Sequence, residues 1–380
     1  MKSHRRLLIL AGIIGRYPVG GVTWCALHYL AGLQRLGYEV FYLEDTGECS
    51  FDPVANGLST DPSYSVRYIR RHLAMVGLEN AWAYVDYTGR YHGKPREAVV
   101  AACRDADAMI NLSGGYWIAR PEYDGMRKIF IDTDPGFTQR AIVETKDVWY
   151  RDFFAAHDAL FTFALNIGAP GCTIPETPFR WQTTIQPLVL DFWPVVPLPP
   201  KAPYTTILSW RVEKIAMSDS KGPEILRLAD VPAKSGQRIV LAIAGQAPVD
   251  LLNAKGWQTT DAVAASIDAE TYRTFIQGSR AELGFAKSMY VQTRSGWFSD
   301  RTECYLASGR PTVARDTGFG DYIPCGEGLF AFTGEEDLLA AMAAIESDYE
   351  HHSSRARMIA AEYFSAEKVL RSLLERADLR

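Results

Sequence analysis

A proline-rich decapeptide, PVVPLPPKAP at residues 194–203, divides this chain into two runs of alternating strand and helix patterns. Five of its ten residues are proline, which resists helix and central strand and favours an extended spacer. The 380 residues also exceed what one ordinary core accommodates. We therefore predict a first domain at 1–193, a linker at 194–204, a second domain at 205–350, and C-terminal helices at 351–380.

The first run begins with an apolar segment, Leu7–Ile13, which is typical of a buried strand. Apolar residues at helical spacing then predict a helix over Val22–Leu36, and YEVFYLED predicts a second strand. Strand, helix and strand in so few residues indicate a right-handed βαβ unit and a parallel sheet. The later strand patterns DAMINLSG, KIFIDTD and ALFTFAL extend this half into a Rossmann-like, doubly wound domain.

The second run repeats this alternation. Its predicted strands are YTTILSW, QRIVLAIAG, SMYVQ, RPTVA and EGLFAF, with helices between them. The tail at 351–380 is helical and amphipathic, and it is long enough to cross back to the first domain. The predicted fold class is α/β, with two facing Rossmann-like domains whose strand ends border one cleft.

Composition excludes several classes of protein. The formal net charge of −5 argues against general nucleic-acid binding, which needs a surplus of Lys and Arg. The six cysteines lack zinc-ligand or disulfide-framework spacing, so we expect no metal. The basic N-terminus and short apolar run superficially resemble a signal peptide, but a glycine-rich turn and an amphipathic helix follow, and a first strand fits better. No segment approaches the ~18 apolar residues of a membrane span, so we expect a cytoplasmic protein without a transmembrane segment.

The segment SGWFSDRTECYLASG, residues 295–309, predicts an anion site. Ser299 or Asp300 can cap the helix that follows, and a helix start presents unpaired N–H groups and positive dipole. A phosphate suits that position. The alternative is that Ser, Gly and Asp simply end a loop and cap a helix.

Two cations of the same domain strengthen the phosphate hypothesis. Arg211 directly follows the strand TTILSW, and Lys221 lies at the head of the next helix, so both belong to the carboxyl edge of the sheet. Together with a helix start they form a pyrophosphate clamp. The alternatives are a surface salt bridge between Arg211 and Glu213 and a solvated loop lysine at Lys221.

These features resemble the nucleotide-sugar domain of the GT-B glycosyltransferases, in outline over the whole chain and in detail over 205–365. Shared are a strand ending in Arg, Lys-Gly opening a helix, and a Glu-bearing helix followed by Gly-x-Pro in ECYLASGRP. The resemblance implies that the donor diphosphate binds Arg211, Lys221 and the backbone of Gly296, Trp297, Phe298 and Ser299. We assign Ser295, at the start of the same segment, to donor binding as well.

The resemblance further implies that Glu303 accepts a hydrogen bond from the donor ribose, although a capping-box role with Asp300 is the alternative. Glu303 stands one residue further from Gly309 than the family's ribose glutamate does, and Ser295 replaces the first acid of many retaining members. The loop Arg315–Phe319 follows a strand and would face the donor sugar. Its polar residues suit hydroxyl recognition, so we assign Asp316, Thr317 and Gly318 to donor binding.

Catalytic and acceptor groups are expected from the first domain. Asp132 and Asp134 follow the strand KIFID, where a carboxylate can act as general base, but Asp-Pro-Gly is also ordinary turn chemistry. His157 precedes a strand and is another candidate base, although a lone histidine is more often structural.

Two glycine-rich loops are candidates for the acceptor side. Gly20 and Gly21 at the first βα turn allow close approach of a ligand, although turn geometry alone explains them. Gly114, Gly115 and Tyr116 belong to a loop whose aromatics could stack a sugar or a planar acceptor.

The sequence thus predicts a metal-independent glycosyltransferase without a cofactor, whose partners are a small-molecule nucleoside diphosphate sugar and an acceptor that the sequence does not identify. A Rossmann oxidoreductase is one alternative: Glu44 and Asp45 fit its acid, but GIIGRYPVGG lacks the glycine spacing. A noncatalytic intracellular nucleotide- or sugar-binding protein is the other. These patterns do not specify the nucleotide base, the transferred sugar, the stereochemistry of the transfer or the oligomeric state.

Overall fold

The computed structural model describes residues 6–118, 120–145, 148–214 and 217–379, and between 211 and 218 it describes the main chain alone. The first half contains strands β1 (Leu7–Ala11), β2 (Glu39–Glu44), β3 (Ser50–Asp52), β4 (Gly57–Ser59), β5 (Trp82–Val85), β6 (Tyr91–Gly93), β7 (Ala108–Leu112), β8 (Arg127–Asp132), β9 (Ala159–Thr162) and β10 (Trp181–Thr183). Its helices are α1 (Gly20–Arg35), α2 (Ser63–Leu73), α3 (Arg96–Asp105), α4 (Phe137–Glu144) and α5 (Val148–Ala155).

The second half contains strands β11 (Tyr204–Ser209), β12 (Arg211–Lys214), β13 (Met217–Ser220), β14 (Ile239–Ala244), β15 (Gln258–Asp261), β16 (Ala281–Gly284), β17 (Thr312–Arg315) and β18 (Leu329–Phe332). Its helices are α6 (Gly222–Arg227), α7 (Val231–Ser235), α8 (Val249–Ala254), α9 (Ala262–Ser266), α10 (Ala269–Gln277), α11 (Ser288–Gln292), α12 (Asp300–Ala307), α13 (Glu335–Ser347), α14 (Tyr349–Tyr363) and α15 (Ala366–Arg376). No helix in the described part of the chain is both long and apolar enough to cross a membrane.

Both large sheets are doubly wound. The first has the order β10-β9-β8-β7-β1-β2-β5-β6 and is parallel except for β6, which runs antiparallel to β5. The second has the order β15-β14-β11-β16-β17-β18 and is parallel throughout. The strand order reverses between β1 and β7 in one sheet and between β11 and β16 in the other, which creates a crevice at each reversal. The predicted pair of Rossmann-like domains is confirmed.

One predicted strand is wrong. SMYVQ forms helix α11, and the central strand is AELG immediately before it, β16. All four residues of β16 are buried, and its charged Glu282 is tolerated there because Arg301 donates from Nε to it at 2.6 Å. A charged residue in a four-residue strand concealed the apolar pattern, and the ion pair that compensates it is tertiary.

The C-terminal helix returns to the first domain, as predicted. The N–H of Ala366 donates to the carbonyl of Leu188 at 2.9 Å, and α15 packs along α1. At Gly32 in α1 an added Cβ would lie 2.5 Å from Leu370, so this glycine permits the close approach of the two helices. An apolar core that includes residues of α1, α10, α12 and α15 joins the two halves of the chain.

Candidate functional site

The carboxyl edges of the two sheets face one another, and the loops that leave them meet in a cleft. Asn166, which follows β9, donates its side-chain amide to the carbonyls of Arg294 at 3.0 Å and Gly318 at 3.2 Å. The indole N–H of Trp297 donates to the carbonyl of Thr133 at 3.3 Å. Ligands of open α/β sheets bind outside the carboxyl ends of strands, so this cleft is the expected site.

A pocket opens on the second-domain wall of this cleft, outside the carboxyl ends of β16 and β17 and beside the first turn of α12. Its lining combines aromatic and small side chains with two guanidinium groups. The lining residues are Gly284, Phe285, Ala286, Trp297, Phe298, Ser299, Arg301, Thr302, Ala314, Arg315 and Phe319.

Lys221 is a buried cation close to Arg301. Lys221 is only 9% exposed. Among the described residues, its Nζ has neither a hydrogen-bond nor an ion-pair partner. Burial, together with the positive charges of Arg301 and Lys287, lowers the pKa of the ammonium to about 7, while Glu282 and Asp219 act in the opposite direction. A bound anion would give this ammonium the direct partner that a buried charge requires.

The position of Lys221 is fixed by the end of β11. The N–H of Lys221 and the hydroxyl of Ser220 both donate to the carbonyl of Trp210, at 3.1 and 3.0 Å. An added Cβ on Gly222 would lie 2.5 Å from the indole of Trp210, so only glycine allows this contact. The side chain of Arg211, the other predicted cation, lies outside the described residues, and its role stays a prediction.

Arg301 is a cation of the site that the sequence analysis missed. It is the second residue of α12, and it donates to Glu282 and, from Nη1, to the carbonyl of Ile207 at 2.7 Å. Burial disfavours its charge, but Glu282 and neighbouring hydroxyls raise the pKa of the guanidinium above its usual range. A basic residue in the first turn of a helix interacts unfavourably with the helix dipole. This unfavourable position is the feature of the sequence that could have identified Arg301 as a functional residue.

Asp134 meets the second domain directly. Its Oδ1 accepts from Lys287 Nζ and from the hydroxyl of Tyr290. The ring of Tyr290 stacks on Trp297, with centroids 4.3 Å apart. Of the predicted bases, Asp134 is the one that the structure brings into the cleft, and Lys287 and Tyr290 were not predicted because the contact joins residues more than 150 positions apart.

The predicted cradle of N–H groups at 296–299 needs correction. The N–H of Gly296 donates to the carbonyl of Thr317 at 2.7 Å, and that of Trp297 donates to the hydroxyl of Ser295 at 3.1 Å. These two donors are occupied within the protein, and Ser295 itself is fully buried. Phe298 and Ser299 do line the pocket.

Ser299, rather than Asp300, caps α12, because its hydroxyl accepts from the N–H of Arg301 at 3.3 Å. The predicted capping box of Asp300 with Glu303 is therefore wrong.

The ribose role predicted for Glu303 does not fit the structure. Glu303 is 1% exposed, is absent from the pocket lining, and its Oε2 has no hydrogen-bond partner among the described residues. Burial raises the pKa of its carboxyl well above the usual range, and Asp300 adds to this effect. Its side chain lies with those of His28 and Cys304 at the contact with α1.

This cluster of His28, Glu303 and Cys304 is not arranged as a metal site. The potential ligand atoms lie within 4.8 Å of one another. However, the N–H of Val189 and the indole N–H of Trp193 each approach one ring nitrogen of His28, at 3.0 Å. Both nitrogens therefore face hydrogen-bond donors, which leaves no lone pair directed at an ion.

The loop after β17 is a joint between the domains. The hydroxyl of Thr317 donates to the carbonyl of Trp297 at 2.6 Å, and the carbonyl of Gly318 accepts from Asn166. The carboxylate of Asp316 accepts from the N–H of Gly318 at 2.7 Å and stays partly exposed. Of the three residues assigned to donor binding in this loop, Asp316 keeps a partly exposed polar side chain, and sugar recognition by it stays a prediction.

Asp132 is a structural carboxylate. It is 1% exposed, and burial raises the pKa of its carboxyl. Its two oxygens accept four hydrogen bonds within the first domain, from the side chains of Thr138, Gln139 and Thr162 and from the N–H of Asp134. The prediction of Asp132 as a base is corrected, because its acceptor positions are filled.

His157 is also structural. Burial lowers the pKa of its imidazole to about 4. Its Nδ1 lies 2.9 Å from the carbonyl of Phe153, and its Nε2 lies 3.1 Å from the side-chain amide of Asn111. Both ring nitrogens are therefore engaged by groups of the first domain. The prediction of His157 as a base is therefore corrected.

The glycines of the first βα turn serve packing between domains. An added Cβ on Gly20 would collide with Tyr272 of α10 and with the carbonyl of Asp268, which caps that helix. Gly21 faces the same tyrosine ring at 3.6 Å. This surface is filled by protein, so the acceptor-side role predicted for both glycines is corrected.

The second glycine loop is likewise occupied. An added Cβ would collide with the indole of Trp117 at Gly114 and with the main chain of Gly12 at Gly115. Tyr116 is 4% exposed, and its hydroxyl accepts from the N–H of Arg120 at 2.8 Å. These residues tie the loop to the ends of β1 and β2, and the predicted stacking platform at Tyr116 is not formed.

The chain matches no family model and no curated protein. Among solved structures it is similar to HepE of Anabaena in complex with UDP and glucose, at 12% identity and a TM-score of 0.59, over 99% of this chain and 100% of that one. It is also similar to sucrose-phosphate synthase of Thermosynechococcus elongatus, at 12% identity and a TM-score of 0.56, over 98% of each chain.

A third similar structure is AviGT4, a glycosyltransferase involved in avilamycin A biosynthesis, at 13% identity and a TM-score of 0.52, over 98% of this chain and 97% of that one. These likenesses cover nearly the full length of every chain compared. They confirm the GT-B fold that the sequence predicts.

Proposed function

We propose that this chain is a glycosyltransferase that transfers a sugar from a nucleoside diphosphate donor to an acceptor. The observation that carries the proposal is Lys221, a buried ammonium without a partner among the described residues, at the carboxyl edge of the second sheet. An unneutralised cation in a cleft, with a strongly shifted pKa, is typical of a site that binds an anion. Similarity to the UDP complex of HepE supports a nucleotide as that anion.

The cations account for the chemistry of donor cleavage. In the transfer, the bond between the anomeric carbon and the diphosphate oxygen breaks, and the electron pair leaves with the diphosphate. Lys221 and Arg301 are positioned to stabilise the charge that develops there. The proposal assigns this stabilisation to side chains and needs no metal, so turnover should persist in the presence of a chelator.

The first βα turn argues against the oxidoreductase alternative. Dinucleotide-binding domains offer the N–H groups of that turn to a pyrophosphate. Here the N–H groups of Gly15 and Arg16 donate instead to the buried carboxylate of Glu44, at 2.7 and 2.6 Å. An internal anion therefore occupies the position that a dinucleotide phosphate would need.

The test combines ligand binding with turnover. Thermal unfolding is measured with UDP, GDP, ADP and dTDP, because a ligand that binds only the folded state raises the melting temperature. We expect at least one diphosphate to stabilise the protein, and Lys221→Met to lose that response. Lys255→Met is the matched control, since Lys255 is an exposed lysine of the same domain paired with Asp230.

Turnover separates an enzyme from a binding protein. We expect the protein to release nucleoside diphosphate from the cognate nucleotide sugar, slowly with water and faster with a suitable acceptor. Failure of all four diphosphates to bind would contradict the proposal. Binding of a diphosphate without any cleavage of its nucleotide sugars would favour the noncatalytic alternative.

A further inference from the structure

Helix α11 links the segment that contains Asp219 and Lys221, in the second domain, to the first domain. At its start, the N–H groups of Ser288 and Met289 donate to the carboxylate of Asp219, at 3.0 and 2.9 Å. Asp219 lies two residues before Lys221 and is 7% exposed. The position of α11 is therefore fixed by the loop that carries the unpaired ammonium.

The opposite side of α11 contacts the loop that follows β8. An added Cβ on Gly136 would lie 2.8 Å from the side chain of Met289, so the two segments are in close contact. Phe137 packs edge-on against the ring of Tyr290, with centroids 5.9 Å apart. The Asp134 carboxylate at the centre of this contact accepts from both Tyr290 and Lys287.

Lys287 thus lies between the Asp134 carboxylate and the diphosphate site proposed beside Lys221. It pairs with Asp134 across the domain boundary, and its charge is near enough to Lys221 to act on that ammonium. The pair is partly accessible, with 15% of the Lys287 side chain and 28% of the Asp134 side chain exposed. A lysine on a flexible four-carbon stem can exchange one anion for another over a short distance.

We propose that Lys287 is shared between Asp134 and the donor diphosphate, so that donor binding draws Lys287 away and releases Asp134 as the acceptor base. This inference rests on the proposed function. The released carboxylate takes the proton of the acceptor hydroxyl while the oxygen of that hydroxyl bonds to the anomeric carbon. The bond between the sugar and the diphosphate breaks, and its electron pair leaves with the diphosphate.

The consequence is an order of events. While Lys287 and Tyr290 both donate to Asp134, the carboxylate is a weak base, because each donor favours its ionised form. When the bound nucleotide sugar draws the Lys287 ammonium away, the Asp134 carboxylate becomes a stronger base. The base is therefore activated only while the nucleotide sugar is bound. Lys287 therefore acts as a positioning residue for Asp134 and as a ligand of the diphosphate.

The test is a double-mutant cycle on nucleotide affinity. Dissociation constants for the best-binding diphosphate among UDP, GDP, ADP and dTDP are measured with the unaltered protein, Asp134→Asn, Lys287→Gln and the double variant. We expect Asp134→Asn to tighten binding by about five- to tenfold, because the ligand no longer competes for Lys287. In the Lys287→Gln background, where binding is weaker, Asp134→Asn should have no effect.

Two further variants keep the result interpretable. Glu270→Gln removes the ion pair with Arg71, which also joins the two domains but does not involve α11, and should change affinity less than twofold. Lys287→Arg should restore most of the affinity lost in Lys287→Gln.

An unchanged or weaker affinity in Asp134→Asn would overturn this inference while leaving the proposed function intact. Absence of diphosphate binding by the unaltered protein would overturn both.

Discussion

Burial of the Lys221 ammonium costs free energy, since a charge that leaves water without gaining a partner destabilises the fold. The low exposure of Lys221, 9%, and the positive charges of Arg301 and Lys287 both disfavour the charged form of its side chain. Such a residue is compatible with a stable protein when it serves a ligand rather than the fold. Function and stability should then respond to its replacement in opposite directions.

The first prediction follows from this opposition. We expect Lys221→Met to raise the free energy of unfolding by roughly 1–4 kcal/mol at pH 6 while abolishing diphosphate binding. Burial lowers the pKa of Lys221 to about 7, so the penalty is full below pH 7 and is relieved as pH rises toward the pKa of the unfolded chain. The advantage of methionine should therefore shrink between pH 7 and pH 10.

Urea unfolding of both proteins at several pH values measures this difference. Lys255→Met, at an exposed position, should change the free energy of unfolding by less than about 0.5 kcal/mol. A Lys221→Met variant that is less stable than the parent at pH 6 would contradict this account of the residue.

The second prediction concerns the pH dependence of binding. Above pH 7 the Lys221 ammonium loses its proton in the free protein, and a diphosphate favours the charged form, so binding must take up a proton. The dissociation constant should rise up to about tenfold per pH unit between pH 7.5 and 9. The charged groups around Lys221 that shift its pKa are Arg301, Lys287, Glu282 and Asp219.

Calorimetry in buffers of different ionisation enthalpy counts the proton directly. Lys221→Arg is the control, because a guanidinium stays charged through this range and should remove the pH dependence. A dissociation constant that is flat from pH 7.5 to 9 in the unaltered protein would exclude Lys221 as the titrating ligand.

Single residues of the site were predictable where they follow a strand end. Lys221 belongs to the carboxyl edge because it follows β11 by a short hairpin, and this order is visible in the sequence. Arg301 and Lys287 were missed because their roles depend on contacts with Glu282 and Asp134, which only the tertiary structure shows. Glu303 was misassigned because the turn of α12 directs it toward α1.

At the scale of elements, the segment before α12 is a rigid joint rather than an open loop. Gly296 has φ +73°, and an added Cβ would lie 2.8 Å from the main-chain nitrogen of Asn166 in the other domain. Its N–H is held by Thr317. The glycine is therefore required both by its backbone conformation and by the approach of the first domain.

The third prediction is that Gly296→Ala destabilises the protein by about 1–3 kcal/mol, because alanine is strained at positive φ and meets Asn166. Diphosphate affinity should fall as well, since Phe298 and Ser299 of the same segment line the pocket. Thermal unfolding and calorimetry measure the two effects. Gly334→Ala is the matched control: it lies at φ −153°, with nothing within 4 Å of an added Cβ, and should be neutral. Equal stability of the two variants would contradict the joint.

Most strands could be predicted because their apolar runs are four to six residues long and largely buried, as in β1 and β14. The exceptions have physical causes. β16 contains a glutamate that is neutralised from α12, and β15 is a polar, largely exposed edge strand, QTTD, without any apolar pattern. Elements whose polarity is compensated from elsewhere in the fold are invisible to local periodicity.

At the scale of the whole molecule, the two doubly wound sheets place both reversals of strand order beside one cleft. The alternation of strands and helices and the proline-rich linker were sufficient to predict this arrangement. The loops that fill the cleft were not predictable, since they are positioned by contacts between domains such as those of Asn166 and Trp297. For the same reason, no short motif encodes which nucleotide base, sugar or acceptor the cleft recognises.

The central claim is that the second domain binds a diphosphate beside Lys221. A crystal structure of the protein with its best-binding nucleoside diphosphate tests this most directly. We expect phosphate oxygens within hydrogen-bond distance of Lys221 Nζ, with the nucleoside against the second-domain wall of the cleft. Density for the diphosphate at the first βα turn, where Glu44 now accepts from Gly15 and Arg16, would contradict it.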